Sequence, residues 1–209
     1  LAEIALTEFR SNNNNAELIT QNLELIQASG DRLTKLVNDL LDFSSAKEKE
    51  AYIKFRPVDL SSISALAVAI CKPLIKEKNL DLRVEIDPNL PLVAGDEDRL
   101  QQVLVNLTSN ALKFTYSGEV VISAQLTSDY DVIVKIRDTG IGIHKTDHDN
   151  IFKTFEKLPS QHLNAFGIGL GLPLAKSIVE LHRSELKVES ELDLGSTFSF
   201  KLRVSMDQA

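Results

Sequence analysis

Apolar residues return every seventh position through residues 16–48. Ile19, Ile26, Leu33 and Leu40 mark one seam, and Leu36 and Phe43 mark a second. Leu23 and Val37 widen the stripe beyond a two-stranded seam, so the pattern predicts a long proline-free helix giving one face to a multi-helix bundle. Residues 1–10 read as the end of an earlier helix. Ser11 and the run Asn12–Asn15 then form the turn, because these side chains compete with helix for backbone hydrogen bonds. The run also fits a low-complexity insertion, which is loop in either case.

From about residue 52 the periodicity becomes mixed. Tyr52–Arg56 reads as a short strand ended by Pro57, and Asp59 as the cap of a helix reaching about Lys78, kinked or broken at Pro73. Leu80–Ile86 alternates as a strand, with Pro88 and Pro91 marking the turn after it. A helix is predicted over Asp96–Phe114, then a hairpin of Glu119–Leu126 and Val132–Arg137 turning at Ser128-Asp129. A polar loop over residues 156–166, a helix over Leu172–His182 and strands near Leu186–Glu191 and Thr197–Val204 complete the chain. Helices bunched against an antiparallel-rich sheet predict a two-layer α/β sandwich of the α+β class, preceded by the long helix.

Bulk properties narrow the classes without choosing among them. At 209 residues and 43% hydrophobic, the chain can bury a core or divide into a large and a small domain. A net charge of −7 argues against a broad nucleic-acid surface. No apolar run approaches the ~18 residues of a membrane span, and no secretory leader is visible. The expectation is therefore a cytoplasmic segment making no membrane contact, leaving open an anchor elsewhere in a longer protein. The single cysteine, Cys71, excludes an internal disulfide framework and reads as a small buried residue.

Three segments carry chemistry. Residues 106–114 read Asn-Leu-Thr-Ser-Asn-Ala-Leu-Lys-Phe, followed by Asp138-Thr-Gly-Ile-Gly142 and Gly167-Ile-Gly-Leu-Gly-Leu172. Asn106 and Asn110 offer neutral oxygens one turn apart on one helix face, as a hard cation such as Mg2+ accepts. Lys113 follows on much the same face, where an ammonium can meet a phosphate. The glycines let backbone approach a ligand and present N–H donors to anions. Together they describe a pocket for Mg2+ and a nucleotide.

These segments resemble the motifs of the sensor histidine kinase transmitter core. The last 150 or so residues are similar to the ATP-binding domain that such kinases share with gyrase, the Hsp90 chaperones and MutL. Asn106–Phe114 resembles that family's asparagine box, Asp138–Gly142 its first glycine box and Gly167–Leu172 its second. Phe152-Lys-Thr-Phe155 resembles the phenylalanine box between them, and Gly195-Ser-Thr-Phe198 the closing strand. Helix 16–48, ending Asn38-Asp-Leu-Leu-Asp-Phe43, resembles the second helix of the dimerisation and phosphotransfer hairpin.

The resemblance implies a division into a hairpin portion (1–48), a linker (49–59) and an ATP-binding domain (60–209). It implies ATP and Mg2+ as cofactors, a homodimer formed through the hairpin helices, and relay to a response regulator receiver domain. Asn110 would ligate Mg2+, with Asn106 and Lys113 assisting at the metal and phosphates as catalytic groups. Asp138 would accept from the adenine amino group, supported by Thr197. Phe114, Gly140, Gly142 and Ile143 would line the adenine side, and Gly167, Gly169, Leu170, Gly171 and Leu172 the phosphate side. Residues 156–166 would form a lid anchored by Phe152 and Phe155.

The sequence departs from that pattern in three places. The second glycine box opens Phe166-Gly-Ile-Gly where the family often has Gly-Gly-Thr-Gly, and the lid is short. The four histidines, His144, His148, His162 and His182, all lie outside residues 1–48, where the phosphoacceptor is expected. His182 ends a helix, where a positive charge suits the dipole. On this reading the 209 residues bind ATP but do not phosphorylate themselves, the acceptor lying upstream of Leu1. Two alternatives stand beside the kinase. A non-catalytic nucleotide-binding scaffold fits the absent histidine. A gyrase- or chaperone-type ATPase fits the fold, but those relatives place a glutamate general base where this chain has Asn106, an amide that takes no proton at neutral pH.

Overall fold

The computed structural model describes residues 20–30, 34, 37, 53–75, 78–153 and 169–206. The chain divides into two compact units, Leu1–Ser44 and Ser45–Ala209. In the first, residues 20–30 form a helix (α1). Within it the Ser29 hydroxyl donates to the Leu25 carbonyl at 2.7 Å, and Leu23 and Leu25 face solvent. The predicted helix 1–10, the turn 11–15 and the seam positions Ile19, Leu33, Leu36, Leu40 and Phe43 lie outside the described residues.

The second unit is α+β. Its elements run β1 (Arg56–Val58), α2 (Leu60–Cys71), β2 (Asn79–Ile86), β3 (Val93–Gly95), α3 (Glu97–Phe114), β4 (Ser117–Leu126) and β5 (Asp131–Asp138), then α4 (Gly171–Leu181), β6 (Lys187–Glu191) and β7 (Gly195–Arg203). A five-stranded sheet has the order β2-β4-β5-β7-β6, parallel only between β2 and β4. β1 and β3 form a separate antiparallel ribbon.

Period-2 alternation explains which sheet face is covered. Val132, Val134 and Ile136 of β5 and Phe198, Phe200 and Leu202 of β7 are buried, whereas Lys135, Arg137, Lys201 and Arg203 between them are exposed. The buried row joins one core with Leu100, Val103, Leu104, Leu107 and Ala111 of α3, and Leu174, Ala175, Ile178 and Val179 of α4. Spacing of three and four residues places each of those sets on one helix face. Asp138 continues the β5 alternation, so the rule that buries Ile136 also turns this carboxylate to the covered face.

Two predicted boundaries shift by more than two residues and one strand is not predicted, each for a physical reason. The first strand is Arg56–Val58, not Tyr52–Arg56, and Pro57 lies inside it opposite Ala94. β1 pairs with β3 on one edge only, and such an edge strand tolerates a residue without an N–H. The helix capped by Asp59, whose Oδ1 accepts from Ser61 N at 2.9 Å, stops at Cys71. A 3-10 turn over Lys72–Ile75 replaces the rest, because Pro73 cannot donate to the preceding turn. Val93–Gly95, read only as sequence beyond a proline turn, is the partner of β1.

Candidate functional site

Helix α3 carries the asparagine face. Asp96 caps it, accepting from Arg99 N at 3.3 Å, and Glu97 and Asp98 sit in its first turn, all favourable at a helix N-terminus. Its buried stripe fixes its rotation, which leaves Asn106 and Asn110 half-buried at the border of the core. They face the start of α4: a Cβ built on Gly171 would stand 3.9 Å from the Asn106 amide oxygen and 3.9 Å from Asn110 Nδ2. The second glycine box thus reaches the asparagine box across a gap that a larger side chain would fill. Asn106 Nδ2 is buried and has no hydrogen-bond partner among the described residues. Leu170 precedes α4 without a side-chain cap, and no acidic residue lies in the first turn. The opening N–H groups of α4 therefore point, uncapped by any side chain, to where an anion would be stabilised.

The C-terminal end of α3 is held from three sides. Lys78 Nζ donates to the carbonyls of Leu112 at 2.5 Å and Thr115 at 3.0 Å. The Thr115 hydroxyl donates to Ala111 O at 2.7 Å, and Ile141 N donates to Phe114 O at 3.2 Å. These bonds satisfy helix carbonyls that would otherwise lack partners. They also fix Lys113 and Phe114, the ammonium of the former lying 4.8 Å from the ring centroid of the latter.

Asp138 ends β5 with a side chain only 6% exposed. Its Oδ1 accepts from Gly140 N at 2.8 Å. Burial raises its pKa above the ordinary carboxylate range, opposed by hydrogen bonds from the Gly140 and Ser196 backbone. Gly140 has no substitute here, because a Cβ would stand 2.5 Å from Phe114 O and 2.8 Å from Asp138 Oδ1. Gly142 is in the left-handed region at φ +66°, and its Cβ would run into the Glu191 carbonyl. A serine pair ties this loop to the β6–β7 hairpin. Ile143 N donates to Ser190 Oγ at 2.8 Å, Ser190 Oγ donates to Gly195 O at 2.9 Å, and the Ser190 and Ser196 hydroxyl oxygens are 2.9 Å apart.

These elements enclose a pocket. The predicted residues Asn110, Phe114, Asp138, Gly142, Ile143 and Leu172 line it, joined by Ala111, Ile141, Ile151, Ser196 and Phe198, which sequence reasoning did not single out. Phe198 was legible only as a strand residue, and Phe152 packs edge-on against it with centroids 6.5 Å apart. Asn106, Gly140 and Gly171 stand beside the lining, Lys113 meets the Phe114 ring, and Leu170 is buried just before α4. Gly169 adopts φ +76° just before α4. Gly167, Phe155 and the lid over residues 156–166 lie outside the described residues.

Thr197 does not line the cavity that holds Asn110 and Phe114. Alternation along β7 turns it toward the opposite sheet face, beside Arg137 and Glu189, and brings Ser196 to that cavity, while Thr197 shares a more open hollow at the strand ends with Asp138, Ser190 and Ser196. One sequence expectation is corrected. His182 is not a charged residue serving a helix dipole. It is buried, its Nε2 accepts from Asp96 N at 3.0 Å, and its Nδ1 donates to Ile178 O at 2.8 Å. That pattern requires the neutral ring, and burial lowers its pKa. His144 bonds locally to Thr146, His148 lies 3.4 Å from Ile143 O, and His162 is outside the described residues.

A helix N-terminus without a side-chain cap, a pair of amides and a buried carboxylate thus gather about one glycine-framed pocket of an α/β sandwich. The model of the family described as histidine kinase-, DNA gyrase B- and HSP90-like ATPase matches residues 95–206, and the chain belongs to that family. Among its relatives, hybrid signal transduction histidine kinase B of Dictyostelium discoideum is 39% identical over 190 residues, covering 86% of this chain and 9% of that protein. The uncharacterized sensor-like histidine kinase ycf26 of Pyropia yezoensis is 35% identical over 198 residues, covering 88% of this chain and 30% of that protein. Among solved structures, full-length ShkA in complex with AMPPNP matches with a TM-score of 0.78 and 28% identity, over 90% of this chain and 39% of that one. The chain thus spans less than a third of these two curated relatives.

Proposed function

We propose that the chain is the catalytic core of a sensor histidine kinase, binding ATP with Mg2+ and directing the γ-phosphoryl group to a histidine side chain, for relay to an aspartate of a response regulator. The observation that carries this reading is the pair of amides against Gly171. At the position where a hydrolytic relative needs a base for water stands Asn106, and Asp138, at the far end, is the pocket's one ionisable lining group among the described residues. An amide cannot take a proton from water. A neutral imidazole attacks through a free lone pair and needs no base to uncover it, so alignment and charge neutralisation suffice.

The residues present fit Mg2+ held largely by phosphate and water. No cluster of three or more His, Cys, Asp or Glu side chains that could cage a metal occurs among the described residues. Mg2+ often keeps several waters and binds through few protein groups beside substrate phosphates. Asn110 Oδ1 is the proposed ligand, and the orphaned Asn106 Nδ2 is a donor suited to a phosphate oxygen. When bound, the ion would neutralise charge on the phosphates. The chain's own groups position the rest. Lys113 and the N-terminus of α4 (Gly169, Leu170, Gly171, Leu172, with Gly167 before them) meet the phosphates. Phe114, Gly140, Gly142 and Ile143 flank the base, and Asp138 with Ser196 accepts from its amino group.

The proposed assembly is a homodimer through residues 1–48, joined by residues 49–59 to the ATP-binding domain 60–209 and working in the cytoplasm. No described helix is long and apolar enough to cross a membrane. A nucleotide-binding scaffold is the second reading, and an intact protein without an acceptor histidine would favour it. The test is label transfer from γ-labelled ATP in the intact protein carrying this core. Asn110→Asp should cut transfer by about a hundredfold or more while leaving circular dichroism unchanged, because a carboxylate there adds charge beside the phosphates. Full transfer in that variant would remove Asn110 from the mechanism, and no transfer in the unsubstituted protein would favour the scaffold.

A further inference from the structure

The geometry points to Ser190 as a specificity-determining positioning residue: it draws the Ser196 hydroxyl proton out of the pocket, so that neither side chain at the base end, Asp138 or Ser196, offers a donor. The inference rests on the adenine-nucleotide reading above and adds to it the reason a 6-oxopurine is refused. Ser190 does not line the cavity that holds Asn110 and Phe114; it faces the adjoining open hollow with Asp138, Ser196 and Thr197, and acts on the base through its neighbour.

The argument is a count of protons. A serine hydroxyl has one proton and two lone pairs. Ser190 Oγ makes three contacts: Ile143 N at 2.8 Å, Gly195 O at 2.9 Å and Ser196 Oγ at 2.9 Å. A peptide N–H can only donate and a carbonyl can only accept. Ile143 therefore uses one lone pair of Ser190, and Gly195 takes its proton. The one assignment that satisfies all three contacts has Ser196 donating into the remaining lone pair. Ser196, which lines the pocket beside Asp138, then has no proton left to offer. The Asp138 carboxylate has none either, and its Oδ1 is already engaged by Gly140 N. A 6-amino group can donate to this end of the pocket, whereas a 6-oxo group would set lone pairs against lone pairs. Removing the Ser190 hydroxyl frees Ser196 to rotate and donate to a 6-oxo oxygen.

The test is calorimetric titration of the 209-residue chain with ADP and with IDP, each with Mg2+, which differ at the 6-position and its adjacent N1. The unsubstituted chain should prefer ADP. In Ser190→Ala the ratio Kd(IDP)/Kd(ADP) should fall roughly tenfold, the size of one hydrogen bond. Ser190→Thr, which keeps the hydroxyl, should retain the ratio, and Ser190→Ala should leave it unchanged on a Ser196→Ala background. Equal weakening of both nucleotides with an unchanged ratio would overturn the proposal and leave Ser190 a structural brace. If Ser190→Ala does not fold, the unsubstituted chain still decides with purine riboside diphosphate, which lacks a 6-substituent. The order ADP, purine, IDP is required, and IDP binding as tightly as the purine analogue contradicts it. Failure of the unsubstituted chain to bind either nucleotide would instead overturn the nucleotide reading itself, and this inference with it.

Discussion

Asp138 is a buried carboxylate whose Oδ1 accepts from Gly140 N, and burial raises its pKa against the backbone hydrogen bonds of Gly140 and Ser196. A group whose folded pKa lies above its unfolded value favours the fold fully only below the ordinary aspartate range, roughly 3.9. That contribution is lost as pH rises through the folded value. At pH 7 the unliganded fold therefore bears the cost of an ionised Asp138. Asp138→Asn keeps the acceptor for Gly140 N and removes the charge. The variant should be no less stable than the parent in urea at pH 7, with any advantage vanishing below about pH 3; a clear loss of stability at pH 7 would show that the charge supports the fold. Ser196 teaches a complementary lesson. Its type and neighbours are legible in Gly195-Ser-Thr-Phe198, but not its face. With a period of two, one residue of error in register exchanges the faces, and the pairing of Asp138 with Ser196 is what brings Ser196, and not Thr197, to the cavity that holds Asn110 and Phe114.

At the scale of elements, His182 braces two helices, linking the carbonyl of Ile178 in α4 to the N–H of Asp96 at the start of α3. The neutral ring is required, so protonation must break the bond to Asp96. With a folded pKa lowered by burial, this contribution is complete above the ordinary histidine value of roughly 6.5 and is lost as pH falls below it toward the lowered value. The urea midpoint of the parent should thus drop between pH 7.5 and 5.5. His182→Ala should cost about 1–3 kcal/mol at pH 7.5, by leaving the Asp96 N–H unpaired, and should flatten that pH dependence. An equally steep dependence in the variant would assign it elsewhere. Helix α3 was readable end to end, from Asp96 to Phe114, because cap, apolar stripe and polar face all agree. The ribbon of β1 and β3 was not. Each strand has three residues, too few to show alternation, and their pairing spans a separation that no local pattern encodes. The turn at Tyr130, with φ +66°, was located but not its left-handed residue, which is a tyrosine where glycine or asparagine is usual.

At the scale of the molecule, the five-stranded sheet carries Asp138 at one strand end while α3 and α4 bring Asn106, Asn110 and Gly171 together. The glycine and asparagine boxes are some 30 to 60 residues apart in sequence. Their types announced a nucleotide, whereas the apolar lining from Ile141, Ile151 and Phe198 depended on packing and had no signature of its own. The most direct measurement of the central claim is titration of the chain with the non-hydrolysable analogue AMPPNP and Mg2+, for the parent and for Asp138→Asn. In the variant, Gly140 N retains the amide oxygen and turns Nδ2 toward the base, donor against donor. Affinity should fall at least about tenfold, with the fold intact by circular dichroism. Equal affinity in parent and variant would contradict the assignment of this pocket to an adenine nucleotide.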